Sequence, residues 1–346
     1  MNAPRLAVSI GCPSGVGPEV SVAAASSMRG ARIVLIGDMA VLRRAARAVD
    51  VDTRRLVRVD SAEEGFALRG STLPVFQPTK TLASADCKPG TPRPKGGAAQ
   101  LGWIDTATDL VARGAADAIV TGPVNKEIIA RSGARGSRGF RGHTEHLATR
   151  LGAKEVTMAF VTEALTASLV TMHLPIKDVP RAITSEAVAR AAYWTAWFIG
   201  RTSAKAPRPK VAVASLNPHA GEGGLLGHEE RRAIEPGIAR ANARLRAARI
   251  DVELVGPVPA ESAFRLAARG AFRAVVAMYH DQATIPMKLL GFGEAVNVSL
   301  GLPIIRTSVD HGTAYDRAGK GTADSVGMRE AMRLAMRLAP SGERKA

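Results

Sequence analysis

Short runs of β-branched and aliphatic residues alternate along this chain with longer Ala-rich stretches whose apolar positions recur every three or four residues. Residues 5–11, 31–37 and 117–124 are predicted strands, and the rhythm continues through 156–163, 167–173, 210–217 and 274–280. Each of these runs is apolar on both faces, the pattern of strands covered by helices on either side of a sheet, so the predicted class is α/β. Pro18, just after a Gly-rich turn, is predicted as a first helical residue because its missing N–H would be unpaired there anyway. Glu19 beside it suits the positive end of the helix dipole. Residues 325–338 place Met328, Met332, Leu334, Ala335 and Leu338 at helical spacing, a closing helix with an apolar stripe. The stretch 82–97 (LASADCKPGTPRPKGG) holds three prolines and three glycines and is predicted to be an exposed loop, either a lid or a connection. A second break at 202–209 (TSAKAPRP) is a candidate joint between two lobes.

Composition narrows the classes. At 346 residues the chain has room for about two domains, and 46% hydrophobic with 23% charged residues is the balance of a folded globular protein, not a disordered one. The absence of a long apolar run or a recognisable leader predicts a cytoplasmic protein without membrane contact. Cys12 and Cys87 are too few for a disulfide framework and are expected to be reduced thiols. The formal charge of +16 favours anionic partners, whether phosphorylated metabolites, nucleic acid or a membrane surface, but the arginines are dispersed and aromatics are only 4%, which argues against nucleic acid.

All seven histidines lie after residue 140. His173 (TMHLP), His219 (LNPHAGEGG) and His280 (MYHDQ) each sit where a predicted strand ends and a turn begins, the edge at which doubly wound sheets bind ligands. Three neutral imidazoles are a frequent divalent-metal set, zinc above all, and each of the three also fits a hydrogen-bonded turn histidine. His143 opens RGHTEHLATRLG, a loop turning into a helix, where backbone N–H groups attract anions or where Thr144 simply caps the end; His146 and His228 are read as helix-surface residues. Residues 11–19 (GCPSGVGPE) and 221–227 (GEGGLLG) permit close backbone approach, yet neither fits the Walker or the G-x-G-x-x-G pattern. Lys288, Asn297 and Arg306 combine a point charge, an amide and a forked guanidinium, which suits a phosphate, although solvated surface side chains would look the same in so basic a chain. Asp310, His311, Gly312, Thr313 and Asp324 add polar turns beside apolar strands.

Taken together, GCPSGVGPEV (11–20), TGPVNKEII (121–129), RGHTEHLA (141–148), TMHLPIKDVP (171–180), LNPHAGEGGLLGHEE (216–230) and the long run from 277 to 325 resemble the 4-hydroxythreonine-4-phosphate dehydrogenase family over nearly the whole chain. The resemblance implies a two-lobed fold similar to isocitrate and isopropylmalate dehydrogenases with a central cleft. The first lobe would comprise residues 1–125 with 295–346, and the second 126–294 with the metal histidines and dimer contacts. It implies a homodimer with active sites at the subunit interface, NAD or NADP as cofactor, and one divalent ion (Zn, Mg or Co) held by His173, His219 and His280. His143, Thr144, Lys288, Asn297 and Arg306 would bind the phosphorylated substrate, and Leu289, Gly291, His311, Gly312 and Thr313 the cofactor. The implied reaction oxidises a metal-bound hydroxyl and then decarboxylates the resulting β-keto acid. Lys126 and Asp281, each beside a motif at a predicted strand end, are the candidates for proton transfer. Asp281 also fits a carboxylate that only orients His280. The family's loop commonly begins Gly-Asp-Pro-Ala-Gly-Ile-Gly-Pro-Glu, whereas this chain has Cys12, Ser14 and Val16. Same-fold dehydrogenases of other phosphorylated four-carbon acids or of aromatic cis-dihydrodiols are the alternative, and a non-catalytic anion-binding protein a remote one.

Overall fold

The structure, a computed structural model, describes residues 3–203, 207–291 and 293–339. Its strands, in chain order, are β1 (Arg5–Ser9), β2 (Arg32–Ile36), β3 (Leu56–Val59), β4 (Leu73–Phe76), β5 (Ala118–Thr121), β6 (Thr157–Val161), β7 (Thr166–Leu169), β8 (Lys210–Ala214), β9 (Glu253–Val258), β10 (Ala274–Ala277), β11 (Val296–Leu300) and β12 (Ile305–Val309). Every strand predicted from the apolar runs is present, shorter by a few residues because the ends feed into turns. The chain divides into two compact units with boundaries at 153/154 and 301/302.

In the first unit the strands run β3-β4-β2-β1-β5-β12, each paired in parallel with its neighbour. The central strands β1 and β5 are almost wholly buried, as a parallel sheet covered on both faces requires. The helix Gly17–Ser27 does carry Pro18 in its first turn, and the closing helix Val326–Leu338 buries Met328, Met332, Leu334 and Ala335. The expected loop 82–97 is only partly a loop: Ser84–Cys87 makes a short 3-10 turn, and a 19-residue helix starts at Pro94. Proline is well tolerated in that first turn, so the third proline of the stretch opens a helix instead of preventing one.

The boundary expected at 125/126 therefore moves. Leu101 and Ile104 of the helix Pro94–Ala112 share a buried cluster with Ile129, Phe140 and Leu147. This packing ties the helices Lys126–Ala130 and His143–Leu151 to the first unit and leaves Lys126 there, not in the second lobe.

The second unit has the order β11-β6-β7-β10-β8-β9. β6 is antiparallel to both β11 and β7, while β7, β10, β8 and β9 are parallel. Its core gathers Phe160, Leu169, Phe264 and Met287 around the small side chains of β8 and β10. The break at 202–209 falls inside this unit, so it is not a joint between units; residues 204–206 of it lie outside the described residues. Both cysteines are free and buried, and no helix among the described residues is long and apolar enough to cross a membrane.

Candidate active site

In the first unit, loops 10–16, 122–126 and 310–316 leave the carboxyl ends of three neighbouring parallel strands, β1, β5 and β12. They interlock tightly. A Cβ on Gly15 would lie 2.7 Å from the Thr313 carbonyl oxygen, and one on Gly122 would lie 2.7 Å from that of Ile10. The glycines of the 11–19 loop thus serve close loop packing.

Arg306 stands on β12 and is only 4% exposed, with Nε and Nη2 donating to Thr121 Oγ1 at 3.2 and 2.9 Å. Burial pulls its guanidinium down to about 9, with Glu145 opposing, so it remains a cation at neutral pH. His143 is the first residue of the helix His143–Leu151, and its Nε2 is buried with no hydrogen-bond partner among the described residues. Burial first, then the positive charges of Arg306, His146 and Lys126, hold this imidazole well below its ordinary value and therefore neutral. An orphaned buried nitrogen costs roughly 1–3 kcal/mol, a deficit that a ligand oxygen would relieve.

The helix start itself has Gly142 as N-cap with no side-chain bond, so capping by Thr144 is not what closes it; Thr144 is buried in the first turn. Lys126 and Glu145 flank this start, since a Cβ on Gly142 would lie 3.7 Å from Lys126 Nζ and 2.9 Å from Glu145 Oε2. Arg306, His143 and Lys126 thus gather positive charge and an open imidazole nitrogen at a helix start whose N-cap makes no side-chain bond, with Glu145 as counter-charge. His146, expected on the helix surface, is instead held by Asp105, its Nε2 2.6 Å from Oδ1. His311 and Gly312 are exposed, the His311 ring bonded to the Gly312 carbonyl, while the Thr313 carbonyl accepts from Val16 N–H.

In the second unit, His173 follows β7 and His280 opens the helix His280–Leu290 after the adjacent strand β10; their ring centroids are 5.3 Å apart. His280 Nδ1 lies 2.7 Å from Asp281 Oδ1, which orients the ring and turns Nε2 to other partners, the orienting duty weighed for Asp281. His219 follows β8, the next strand over. It does not complete a ligand set: among the described residues no three His, Cys, Asp or Glu side chains gather to hold a metal. His219, Ala220, Gly221, Glu222 and Gly223 all have positive φ, a left-handed turn that L side chains seldom adopt.

A carboxylate fixes the base of that turn. Glu230, 3% exposed, accepts from Leu216 N–H, Asn217 N–H and Asn217 Nδ2. Lys288 and Leu289 are exposed near the end of the helix His280–Leu290, and Asn297 is half-buried on β11. Gly291 is buried, with Thr162 where its Cβ would be, which is a packing role.

Asn125, Tyr315 and Glu230 were not singled out by sequence. Asn125 carried a usable signal, an Asn just before a helix, and it does cap that helix through Ile128 N–H. Tyr315 carried none, because its partner Asn125 is 190 residues away.

Comparison with known proteins bears directly on this arrangement. The sequence profile described as "Pyridoxal phosphate biosynthetic protein PdxA" matches residues 29–335. The chain is 40% identical over 343 residues to a 4-hydroxythreonine-4-phosphate dehydrogenase of Geobacter metallireducens, covering 97% of this chain and 96% of that protein. It is 42% identical over 337 residues to the Desulfosudis oleivorans protein of the same name, at 96% and 95% coverage. The crystal structure of the Klebsiella pneumoniae 4-hydroxythreonine-4-phosphate dehydrogenase superposes with a TM-score of 0.82 at 35% identity, covering 97% of this chain and all of that one. With the match running through both units and through the segments that carry Arg306, His143 and the paired histidines, the chain belongs to the PdxA family of pyridoxal phosphate biosynthetic dehydrogenases.

Proposed function

We propose that this protein is a cytoplasmic NAD- or NADP-dependent dehydrogenase that converts 4-phosphooxy-L-threonine to 3-amino-2-oxopropyl phosphate, oxidising the hydroxyl and releasing carbon dioxide. The observation that carries the reading is the buried pairing of a cationic Arg306 with a neutral, unpartnered His143 beside Lys126, in a chain 40% identical to an enzyme of that name. A phosphate dianion satisfies these groups together: Arg306 supplies a fixed charge, His143 Nε2 a hydrogen bond, and Thr144 lies in the same helix turn. A neutral imidazole donates to the phosphate without adding a second buried charge, which the desolvated site would disfavour.

Lys126 is close enough to the helix start to pair with the substrate or to take the hydroxyl proton. Lys288 and Asn297 are proposed as further substrate contacts, and Leu289, Gly291, His311, Gly312 and Thr313 as the surroundings of the nicotinamide cofactor. For the divalent ion, His173 and His280 with the orienting Asp281 fit two nitrogen ligands, and among the described residues no third gathers with them. A homodimer is supported by the exposure of large apolar side chains on the histidine-bearing segments: Ile176 at 68%, Leu225 at 85% and Leu289 at 81%.

The test is absorbance of reduced nicotinamide on mixing protein, divalent ion, NAD or NADP and 4-phosphooxy-L-threonine, with product mass as second readout. Other phosphorylated four-carbon acids and an aromatic cis-dihydrodiol belong in the same panel. Turnover of the diol but not of the phosphorylated acids would overturn the phosphate assignment.

A further inference from the structure

One phenol joins the three interlocked loops of the first unit. Asn125 Nδ2 donates to Tyr315 Oη at 2.8 Å, and Cys12 Sγ lies 3.5 Å from the same oxygen. The carbonyl end of the Asn125 side chain accepts from Ile128 N–H at 2.9 Å, capping the helix that begins at Lys126. The Asn125 backbone N–H donates to the buried Gln100 Oε1 at 3.0 Å. One amide therefore holds the first turn of the Lys126 helix with its oxygen and the 310–316 loop with its nitrogen. Backbone bonds run parallel to this link, from Val16 N–H to the Thr313 carbonyl at 3.0 Å and from Cys12 N–H to the Pro123 carbonyl at 2.8 Å.

The 311–314 segment needs such a pin. His311 and Gly312 are exposed, a Cβ on Gly312 would meet nothing within 4 Å, and Ala314 has a left-handed φ of 43°. Burial pushes the Cys12 thiol and the Tyr315 hydroxyl above their ordinary values, so both stay protonated at neutral pH and the link is uncharged.

We propose that Tyr315, acting through Asn125, is a positioning residue that sets the placement of the His311–Thr313 segment against the first turn of the Lys126 helix. This rests on the dehydrogenase reading, in which that segment meets the nicotinamide cofactor and Lys126 the substrate. Hydride transfer depends steeply on reactant placement: a misplacement of about 1 Å costs on the order of 100-fold. The hydroxyl touches no reacting atom, so its removal acts through geometry.

Two variants separate positioning from mere folding in the full-length protein. Tyr315→Phe keeps the ring and removes the hydroxyl. Asn125→Ser keeps a side-chain oxygen that caps the helix but is too short to reach Tyr315. Each is expected to lower kcat about 10-fold and raise the KM for NAD several-fold while leaving the KM for the phosphorylated substrate unchanged, and the double variant is expected to be no worse than either single one. Hydrogen exchange read without substrate is expected to quicken at the Ile128 and Thr313 amides in Tyr315→Phe. Unchanged kinetics in Tyr315→Phe, or multiplying losses in the double variant, would overturn the proposal. If the native protein turns over none of the panel, the dehydrogenase reading fails on its own, and unchanged exchange at both amides then overturns the link as well.

Discussion

The first unit buries its charges, whereas the second leaves its rings in water. Arg306 is 4% exposed and pinned on Thr121, and His143 has a ring nitrogen sealed from solvent. His173 and His219 are exposed, and the His280 side chain retains 36% of its surface. Desolvating a cation and stranding an imidazole are costs met at folding, so the proposed anionic substrate would meet groups already in place. Exposed imidazoles cost little to fold. On the proposed function, the contrast would separate a preformed anion receptor from a metal-ligand set left open, and each side is testable in a different observable.

The largest effect is expected at Arg306. Arg306→Ala should lower kcat/KM for the phosphorylated substrate by about 100-fold, since a buried charge-assisted bond is worth roughly 1.5–3 kcal/mol. Steady-state kinetics check it, and Arg306→Lys should recover little because a point charge does not reproduce the fork. The opposite pattern is expected for His173→Ala and His280→Ala: turnover and bound metal fall, measured by elemental analysis of the dialysed protein, while the thermal midpoint moves by no more than about 2 °C. If either histidine variant unfolds the protein, the rings are structural and the contrast between the units is lost.

A smaller effect separates the units by pH. His143 is held neutral in the folded state, below its unfolded value of about 6.5, so the unfolded chain binds the extra proton first. Stability is therefore full above about pH 6.5 and is lost as pH falls below it, by up to ~1.4 kcal/mol per pH unit until the folded value is reached. Urea unfolding between pH 7.5 and 5.5 should show this slope in the native protein and lack it in His143→Gln. The smallest effect is expected at the left-handed turn. Ala220 sits at φ 54°, so Ala220→Gly should stabilise the second unit by about 0.5 kcal/mol, the relieved clash being partly offset by glycine's greater freedom when unfolded. A destabilisation on urea unfolding would mean that the alanine methyl is needed there.

Much of this was legible from local pattern. Strands with apolar residues on both faces, Pro18 at a helix start and the apolar stripe of Val326–Leu338 all follow from interactions within a few residues. The residue types of Arg306 and His143 were legible as suited to a phosphate, and the family resemblance assigned that role to these positions. What was misread shows where local reasoning stops. The stretch 82–97 was read as a loop because of its prolines, yet its third proline opens a helix. The lobe boundary moved because Ile129, Phe140 and Leu147 found their partners in Leu101 and Ile104. His146 was taken for surface because Asp105 lies 41 residues away in sequence.

By itself, then, the sequence determined the class of fold, the order of elements, the basic character and the residue types capable of gripping a phosphate, since each of these follows from side-chain chemistry and short-range periodicity. Only the tertiary structure decided that Arg306 is desolvated, that His143 is neutral with an open nitrogen, that Asn125 bridges to Tyr315, and that among the described residues no third metal-type side chain joins His173 and His280. Burial and contact between residues far apart in the chain set those properties, and neither is written in the composition of any single segment.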